Sequence, residues 1–259
     1  MALGLPVLPV LLGLLGPGVP DPEPCAGLQR EATAWQARFG TEVSRRLPLP
    51  PPGPQRARYA QQVDEALAEV TGPLDPTELV LVVDRNPRVQ TVFLLLKSVS
   101  CGWFWLGAAP VSTGRVGSFD HFLTPVGAFL HSPDHPDFRA EGSFNSQHIR
   151  GYGRRGMRVY DFGWVLAERG WGAGGRSLMR LQMHATDPAR LEPLLGRPAS
   201  KGCIRIPASL NTFIDHHGVL DRAYLEAQAA GRPQWILQAQ REPVPWPGRF
   251  LVVVDSAEP

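Results

Sequence analysis

Glycine and proline interrupt the apolar sequence of this chain so often that many turns and short elements are favoured over long helical bundles. The 259 residues include 27 glycines and 27 prolines, and both residue types favour turns. From residue 77 onward, short runs rich in β-branched and aromatic residues alternate with these turn formers. We therefore expect a mainly β body, built as a mostly antiparallel sandwich or barrel. The predicted strands are 79–83, 89–96, 103–106, 126–130, 157–166, 178–183, 203–206, 235–238 and 250–254.

Helical periodicity is confined to the two ends of the chain. Apolar residues recur at helical spacing over 28–47 and 59–70, with the proline-rich spacer 48–54 between them. These segments predict a helical N-terminal extension over residues 27–76, followed by one β domain over 77–259. Near the C-terminus, residues 211–220 and 221–230 predict two short helices.

The first 26 residues predict an export signal or anchor with an uncertain boundary. The apolar run 3–15 is shorter than the roughly 20 residues that a membrane-spanning helix needs, which favours a signal over a permanent anchor. No lysine or arginine precedes this run, and no clean cleavage site follows it. Membrane contact is expected only through this segment, if it stays uncleaved.

Charge excludes one broad class of partner. The net charge is only +2, which is too small to predict a nucleic-acid-binding protein. Within 150–205, however, basic residues outnumber acidic ones. This surplus suits a ligand that carries carboxylates, and it equally suits a solvated surface.

A histidine and a cysteine mark the segment that carries the chemistry. Cys203 lies 19 residues after His184, within Ser-Lys-Gly-Cys-Ile-Arg at 200–205. A cysteine attacks as the thiolate, which needs a neighbouring base or cation and donors for the oxyanion. Gly202 permits a sharp turn that exposes backbone amides, and a strand beginning at Cys203 would hold the thiol rigidly. From one histidine and one cysteine alone, a buried structural cysteine is the favoured interpretation.

Several sequence blocks together resemble the catalytic domain of the L,D-transpeptidase (YkuD-like) family. Val-Ser-Thr-Gly at 111–114 and Thr-Pro-Val-Gly-Ala-Phe at 124–129 precede His184 and the cysteine motif in the order of that family. The resemblance covers about residues 79–206. It implies a β-sandwich with N-terminal helices and a few short C-terminal helices, whose cysteine faces a cleft. It also implies an exported enzyme of the periplasm or cell envelope, with peptidoglycan stem peptides as partners and no metal or organic cofactor.

The resemblance assigns roles residue by residue. Cys203 corresponds to the nucleophile and His184 to the general base. Ser200 and Gly202 correspond to residues around the oxyanion site, and Arg205 to a basic substrate-binding position. A backbone carbonyl near the histidine is expected to hold its tautomer.

Two positions depart from the family pattern. Ala185 replaces the usual glycine after the histidine, and Lys201 replaces the usual histidine two residues before the thiol. A lysine at this position removes a hydrogen-bond acceptor and adds a cation, which would stabilise a thiolate or bind substrate if it faced the site. A lysine that points into water would contribute little.

These residues predict an L,D-transpeptidase that passes the acyl group of a stem tetrapeptide through a Cys203 thioester to an amine. An L,D-carboxypeptidase that uses water as acceptor would need the same residues. An inactive peptidoglycan-binding module, with Lys201 as the lesion, is the other alternative. A metallohydrolase that uses His121, His131, His135 and His148 is disfavoured, because their spacing lacks the helical pattern of zinc peptidases.

The three cysteines are too few for a disulfide scaffold. We expect Cys101 and Cys203 both to remain free. The acceptor, the signal cleavage site, the role of the 131–180 insertion and the oligomeric state are not determined by the sequence.

Overall fold

Two β-sheets and four helices make up the part of the chain that the computed structural model describes, residues 22–70 and 74–257. Most of the predicted export segment, residues 1–21, lies outside this part. The helices are α1 (Pro22–Glu42), α2 (Pro54–Ala68), α3 (Ala208–His216) and α4 (Arg222–Ala229). The strands are β1 (Thr77–Asp84), β2 (Thr91–Ser98), β3 (Gly102–Pro110), β4 (Gly127–Leu130), β5 (Phe138–Arg139), β6 (Arg158–Glu168), β7 (Arg176–Ala185), β8 (Ile204–Ile206) and β9 (Phe250–Val254).

The first sheet has five strands in the order β3-β2-β1-β9-β4. Strands β1, β2 and β3 form an antiparallel meander, whereas β9 pairs in parallel with β1. Strand β4 then pairs antiparallel with β9 on its other side. The last strand of the chain therefore lies inside the sheet and not at its edge.

The second sheet has four strands in the order β5-β6-β7-β8. Its longest pairing is the antiparallel ladder between β6 and β7, and β8 pairs in parallel with β7. The three-residue strand β8 is the element that follows Cys203, so its pairing determines where the thiol lies.

The core is arranged in layers around the first sheet. One face of β1, with Leu79, Leu81 and Val83, packs toward the second sheet, α1 and α3. The other face, with Val80 and Val82, packs against α2. Because both faces are buried, this strand is continuously apolar and does not alternate with polar residues.

Helix α1 lies against β3 and is tied to the sheet at both ends. A Cβ at Gly107 of β3 would come within 2.3 Å of the Phe39 ring, so only glycine permits this approach. Near the start of the helix, Cys25 forms a disulfide with Cys101 in the β2–β3 turn. The prediction that Cys101 stays free is therefore wrong, while Cys203 is free as predicted. A pairing across 76 residues depends on how α1 docks, which local sequence does not reveal.

The expected β body is found, with differences in detail. Eight of the nine predicted strands form, seven of them within two residues of the expected bounds, while β3 continues four residues beyond its predicted end at 106. Antiparallel pairs predominate. Neither sheet closes, so the barrel alternative is wrong, and the four helices make the fold mixed α/β. Residues 235–238 form turns instead of a strand, and Trp235 is exposed. The short strand β5 lies within the segment expected to be a loop.

The predicted helices all form. Helix α1 begins at Pro22 and ends at Glu42, earlier at both ends than the 28–47 periodicity indicates. Among the helices that the structure describes, none combines the length and the apolar character needed to cross a bilayer.

We predict that Cys25→Ser lowers the free energy of unfolding by about 2–5 kcal/mol, because the disulfide restricts the unfolded chain over a long loop. Urea denaturation of the variant and the wild type under non-reducing conditions measures this difference. Thiol titration of the unfolded, non-reduced wild type should give one thiol per chain, and the variant should give two. Three thiols in the wild type would contradict the disulfide.

Candidate active site

The pairing of β7 with β8 places the predicted nucleophile and base on the same face of the second sheet. Met183 pairs with Ile204 and His184 pairs with Arg205. Paired residues of neighbouring strands share a face, so His184 and Arg205 project to the same side of the sheet. Cys203 directly precedes β8, and alternation from Ile204 places its side chain on this side as well. His184 and Cys203 therefore lie on one face of adjacent strands, two residues apart in register, while the hydrogen bond of the thiol goes to the Arg180 carbonyl.

The Cys203 thiol lies against the backbone of β7. Its sulfur donates a hydrogen bond to the Arg180 carbonyl at 3.7 Å. Burial raises the pKa of the thiol, and the Asp161 carboxylate raises it further. The Gln182 N–H and the Arg205 guanidinium lower the pKa, but by less than burial raises it. Cys203 is therefore a protonated thiol at neutral pH.

The His184 ring is buried and held in one tautomer. Its Nδ1 donates to the Ala185 carbonyl at 2.6 Å, so the lone pair of the neutral ring is on Nε2. The expectation that a backbone carbonyl fixes this tautomer is confirmed. Burial lowers the pKa of His184 to about 4, and the Arg205 charge contributes to the decrease.

The resting state that follows is a neutral thiol beside a neutral imidazole. Burial disfavours the charged form of each group, so it works against a preformed thiolate–imidazolium pair. Attack by such a thiol on a carbonyl would require that its proton leave at the same time, and His184 Nε2 is the candidate acceptor.

The loop before Cys203 is rigid and tightly packed. Gly202 has φ +133°, and a Cβ there would lie 2.8 Å from the Met179 methyl carbon. The Gly202 N–H donates to Ser200 Oγ at 3.0 Å, and Ser200 Oγ donates to the Cys203 carbonyl at 2.5 Å. Ser200 and Gly202 therefore shape the loop. Because the Gly202 amide is already engaged, the Cys203 amide is the better candidate to bind an oxyanion.

The separate sequence blocks converge on this loop. Thr124 Oγ1 donates to the Gly202 carbonyl at 2.7 Å and accepts from the Gly114 N–H at 2.9 Å. Ser112 is bridged to Arg205 by two backbone hydrogen bonds, of 3.0 and 2.9 Å. Blocks 111–114 and 124–129 thus hold the cysteine loop in place, which explains why these residue types occur together.

The two basic residues of the motif have different surroundings. Arg205 is partly buried, donates to the Ala199 carbonyl at 3.1 Å and acts electrostatically on both Cys203 and His184. Lys201 instead forms a 2.9 Å ion pair with Asp120, and its side chain is 63% exposed. The predicted placement of Lys201 among the oxyanion and substrate-binding residues is therefore not supported by its geometry.

Three further residues complete the site, and the sequence motif does not identify them. The Tyr152 ring packs edge-on against His184 at 4.7 Å between ring centroids. Tyr152 Oη donates to Gln182 Oε1 at 3.2 Å, and Gln182 Nε2 donates to the buried Asp161 at 2.7 Å. Their side chains come from the polar segment 131–155 and from β6 and β7, so only their contacts show that they belong to the site. This chain of bonds positions the ring over the imidazole.

A cavity of about 590 Å³ adjoins this wall of the site. Residues 138–153 line it, including Phe138, Phe144 and Tyr152. The Arg150 guanidinium lies 3.9 Å from the centre of the exposed Phe144 ring. Tyr152 therefore separates a large, partly apolar cavity from the candidate base.

The histidines considered for a metallohydrolase are not brought together as metal ligands. Among the described residues, the group of potential ligands close enough to hold a metal does not include His121, His131, His135 or His148. His131 is buried, with Nδ1 directed at the Leu220 carbonyl and Nε2 at Asp137. Its two nitrogens are thus used within the fold.

No family model matches this chain, and no curated protein matches it. Its function is therefore inferred from the geometry of its own residues together with the sequence resemblance.

We predict that Tyr152→Ala raises the pKa of His184 toward its ordinary value of about 6.5, because removal of the ring admits water to the imidazole. The rate of Cys203 acylation should then fall below about pH 6 in the variant, whereas in the wild type it should hold to about pH 4. Tyr152→Phe keeps the ring and should retain the wild-type profile. Identical profiles for the alanine variant and the wild type would contradict this role.

We also predict an effect of His184 on acid stability. A folded pKa of about 4 lies below the unfolded value of about 6.5, so the unfolded state binds this proton first as the pH falls. The wild type should therefore lose on the order of 3 kcal/mol more than His184→Gln between pH 7 and pH 4. Urea denaturation at both pH values measures the difference, and equal losses would refute it.

Proposed function

We propose that this protein is a cysteine acyltransferase of the L,D-transpeptidase type that acts on peptidoglycan stem peptides. One observation carries the proposal: the Ala185 carbonyl holds Nδ1 of His184, which leaves Nε2 as the base on the sheet face where the Cys203 thiol lies. The two packed sheets and the terminal helices agree with the sandwich that the resemblance implies.

The first half of the reaction forms the thioester. His184 Nε2 accepts the thiol proton as the sulfur of Cys203 attacks the carbonyl carbon of the third stem residue. The amide of Cys203 stabilises the oxyanion of the tetrahedral intermediate. The proton on His184 then passes to the nitrogen of the terminal D-alanine, which leaves as the C–N bond breaks.

The second half regenerates the enzyme. An acceptor amine attacks the thioester carbon and gives up a proton to His184, and the thiolate leaves and regains a proton from the imidazolium. The product is a new amide bond, as in a cross-link between stem peptides. With water as acceptor, the same steps release a tripeptide that ends in a free carboxylate, which is the carboxypeptidase alternative.

Location in the cell envelope is part of the proposal. The Cys25–Cys101 disulfide is compatible with an oxidising compartment. The apolar run at 3–15 supplies the export signal, and the large cavity beside Tyr152 offers room for a peptide.

The ion pair of Lys201 with Asp120 bears on the inactive-module alternative. A surface pairing leaves the thiol–imidazole arrangement in place, so Lys201 need not be a lesion. This observation favours an enzyme over a module that only binds peptidoglycan.

We predict that a carbapenem forms a covalent adduct with the wild type, seen as a mass increase of one reagent per chain. Cys203→Ala should give no adduct, because the remaining cysteines form the disulfide and leave no other thiol. His184→Gln should form the adduct about 10²–10⁴ times more slowly, since it lacks the general base. An adduct on Cys203→Ala, or none on the wild type, would overturn the assignment.

Product analysis distinguishes the acceptors. The wild type is incubated with a disaccharide tetrapeptide, with and without an added amine, and the products are read by mass spectrometry. An amine-containing product supports a transpeptidase, whereas a tripeptide alone supports the carboxypeptidase. An unchanged substrate would argue against both.

A further inference from the structure

A second cluster of chemically reactive side chains lies where three segments meet, away from the cysteine motif. Glu42 is the last residue of α1, His216 and His217 lie at the end of α3, and Glu242 belongs to the loop before β9. One potential ligand atom from each of His216, His217 and Glu242 lies within 4.8 Å of the others. Glu42 joins this group because its Oε2 lies 2.8 Å from His217 Nε2. We call these four residues the helix-end cluster.

The His217 ring has an oxygen acceptor at each nitrogen. Nδ1 lies 2.9 Å from the Glu242 carbonyl, and Nε2 lies 2.8 Å from Glu42 Oε2. A neutral imidazole carries one proton, so one nitrogen would present a lone pair to an oxygen lone pair. Since the His217 side chain is only 1% exposed, water cannot relieve this contact. A second proton or a metal ion on Nε2 would each remove this conflict. Buried His131 has the same two kinds of partner, so the case for a metal at His217 rests on the additional ligands around it.

The remaining members suit a metal ion. His216 Nε2 lies 3.9 Å from Glu242 Oε1, and both side chains are partly exposed, which leaves a path for entry. Two imidazoles with carboxylates form a donor set typical of zinc in proteins. The Nδ1 hydrogen bond of His217 to a carbonyl is the outer contact that orients a zinc-binding histidine.

Arg38 contacts both carboxylates of the cluster. Its guanidinium lies 3.1 Å from Glu242 Oε2 and 3.7 Å from Glu42 Oε1. The other oxygen of each carboxylate faces a histidine. Arg38 thus occupies the outer oxygens and leaves the inner ones for a metal.

We propose that the helix-end cluster is a zinc site, with His216, His217, Glu42 and Glu242 as ligands. Its role is structural, because Glu42 ends α1 while the histidines end α3. Zinc would tie the C-terminal end of α1 to the domain, as the Cys25–Cys101 disulfide ties its N-terminal end. This site is independent of the proposed enzymatic function.

Zinc titration by calorimetry tests the proposal on the full chain after removal of metal with a chelator. The experiment uses the Cys203→Ala background, because the thiol and His184 could themselves bind zinc. We expect one zinc ion per chain and a concentration-dependent increase in Tm. Addition of cobalt in place of zinc should give the visible absorption of a tetrahedral site.

The ligand variants are chosen at exposed positions so that folding is preserved. His216→Ala and Glu242→Gln should each lower zinc affinity by about tenfold or more and remove the Tm increase. His148→Ala, an exposed histidine elsewhere, is the matched control and should bind as the background does. Absence of saturable binding at one equivalent, or equal affinity in His216→Ala and the control, would overturn the proposal.

Discussion

The parallel pairing of β7 with β8 is the interaction on which the site depends. Strand β8 has only three residues, yet it is held on both edges, by β7 on one side and by Ser112 on the other. Ile204 and Ile206 are fully buried, so its register is also fixed by the core. Because a slip of one residue would turn every side chain to the opposite face, the same hydrogen bonds that build the sheet keep Cys203 on the side of His184.

Burial shifts the pKa values of His184 and Cys203 in opposite directions, and both shifts favour the neutral form. It raises the pKa of Cys203 and lowers that of His184, so both are neutral at rest. A thiol is far less prone to oxidation than a thiolate, so burial also protects Cys203. In the proposed reaction, charge would develop only when a carbonyl is present to accept the sulfur.

The sequence alone was sufficient to predict those features that depend on residues close together in the chain. The apolar runs located eight strands, and the motif identified two residues, His184 and Cys203, that lie on one face of adjacent strands. Contacts between distant segments were not predictable in this way. Tyr152 reaches His184 from a polar segment without clear periodicity, and Cys25 meets Cys101 only because α1 docks on the β2–β3 turn. The direction of Lys201 likewise depends on Asp120, which is 81 residues away.

The position of β9 affects when the protein can fold. This strand lies between β1 and β4, but it is synthesised after the other eight. Until residues 250–254 leave the ribosome, β1 lacks its parallel neighbour and β4 has no strand to pair with. The first sheet therefore cannot be completed until the segment 250–254 has been synthesised, so its assembly waits for the last of its five strands.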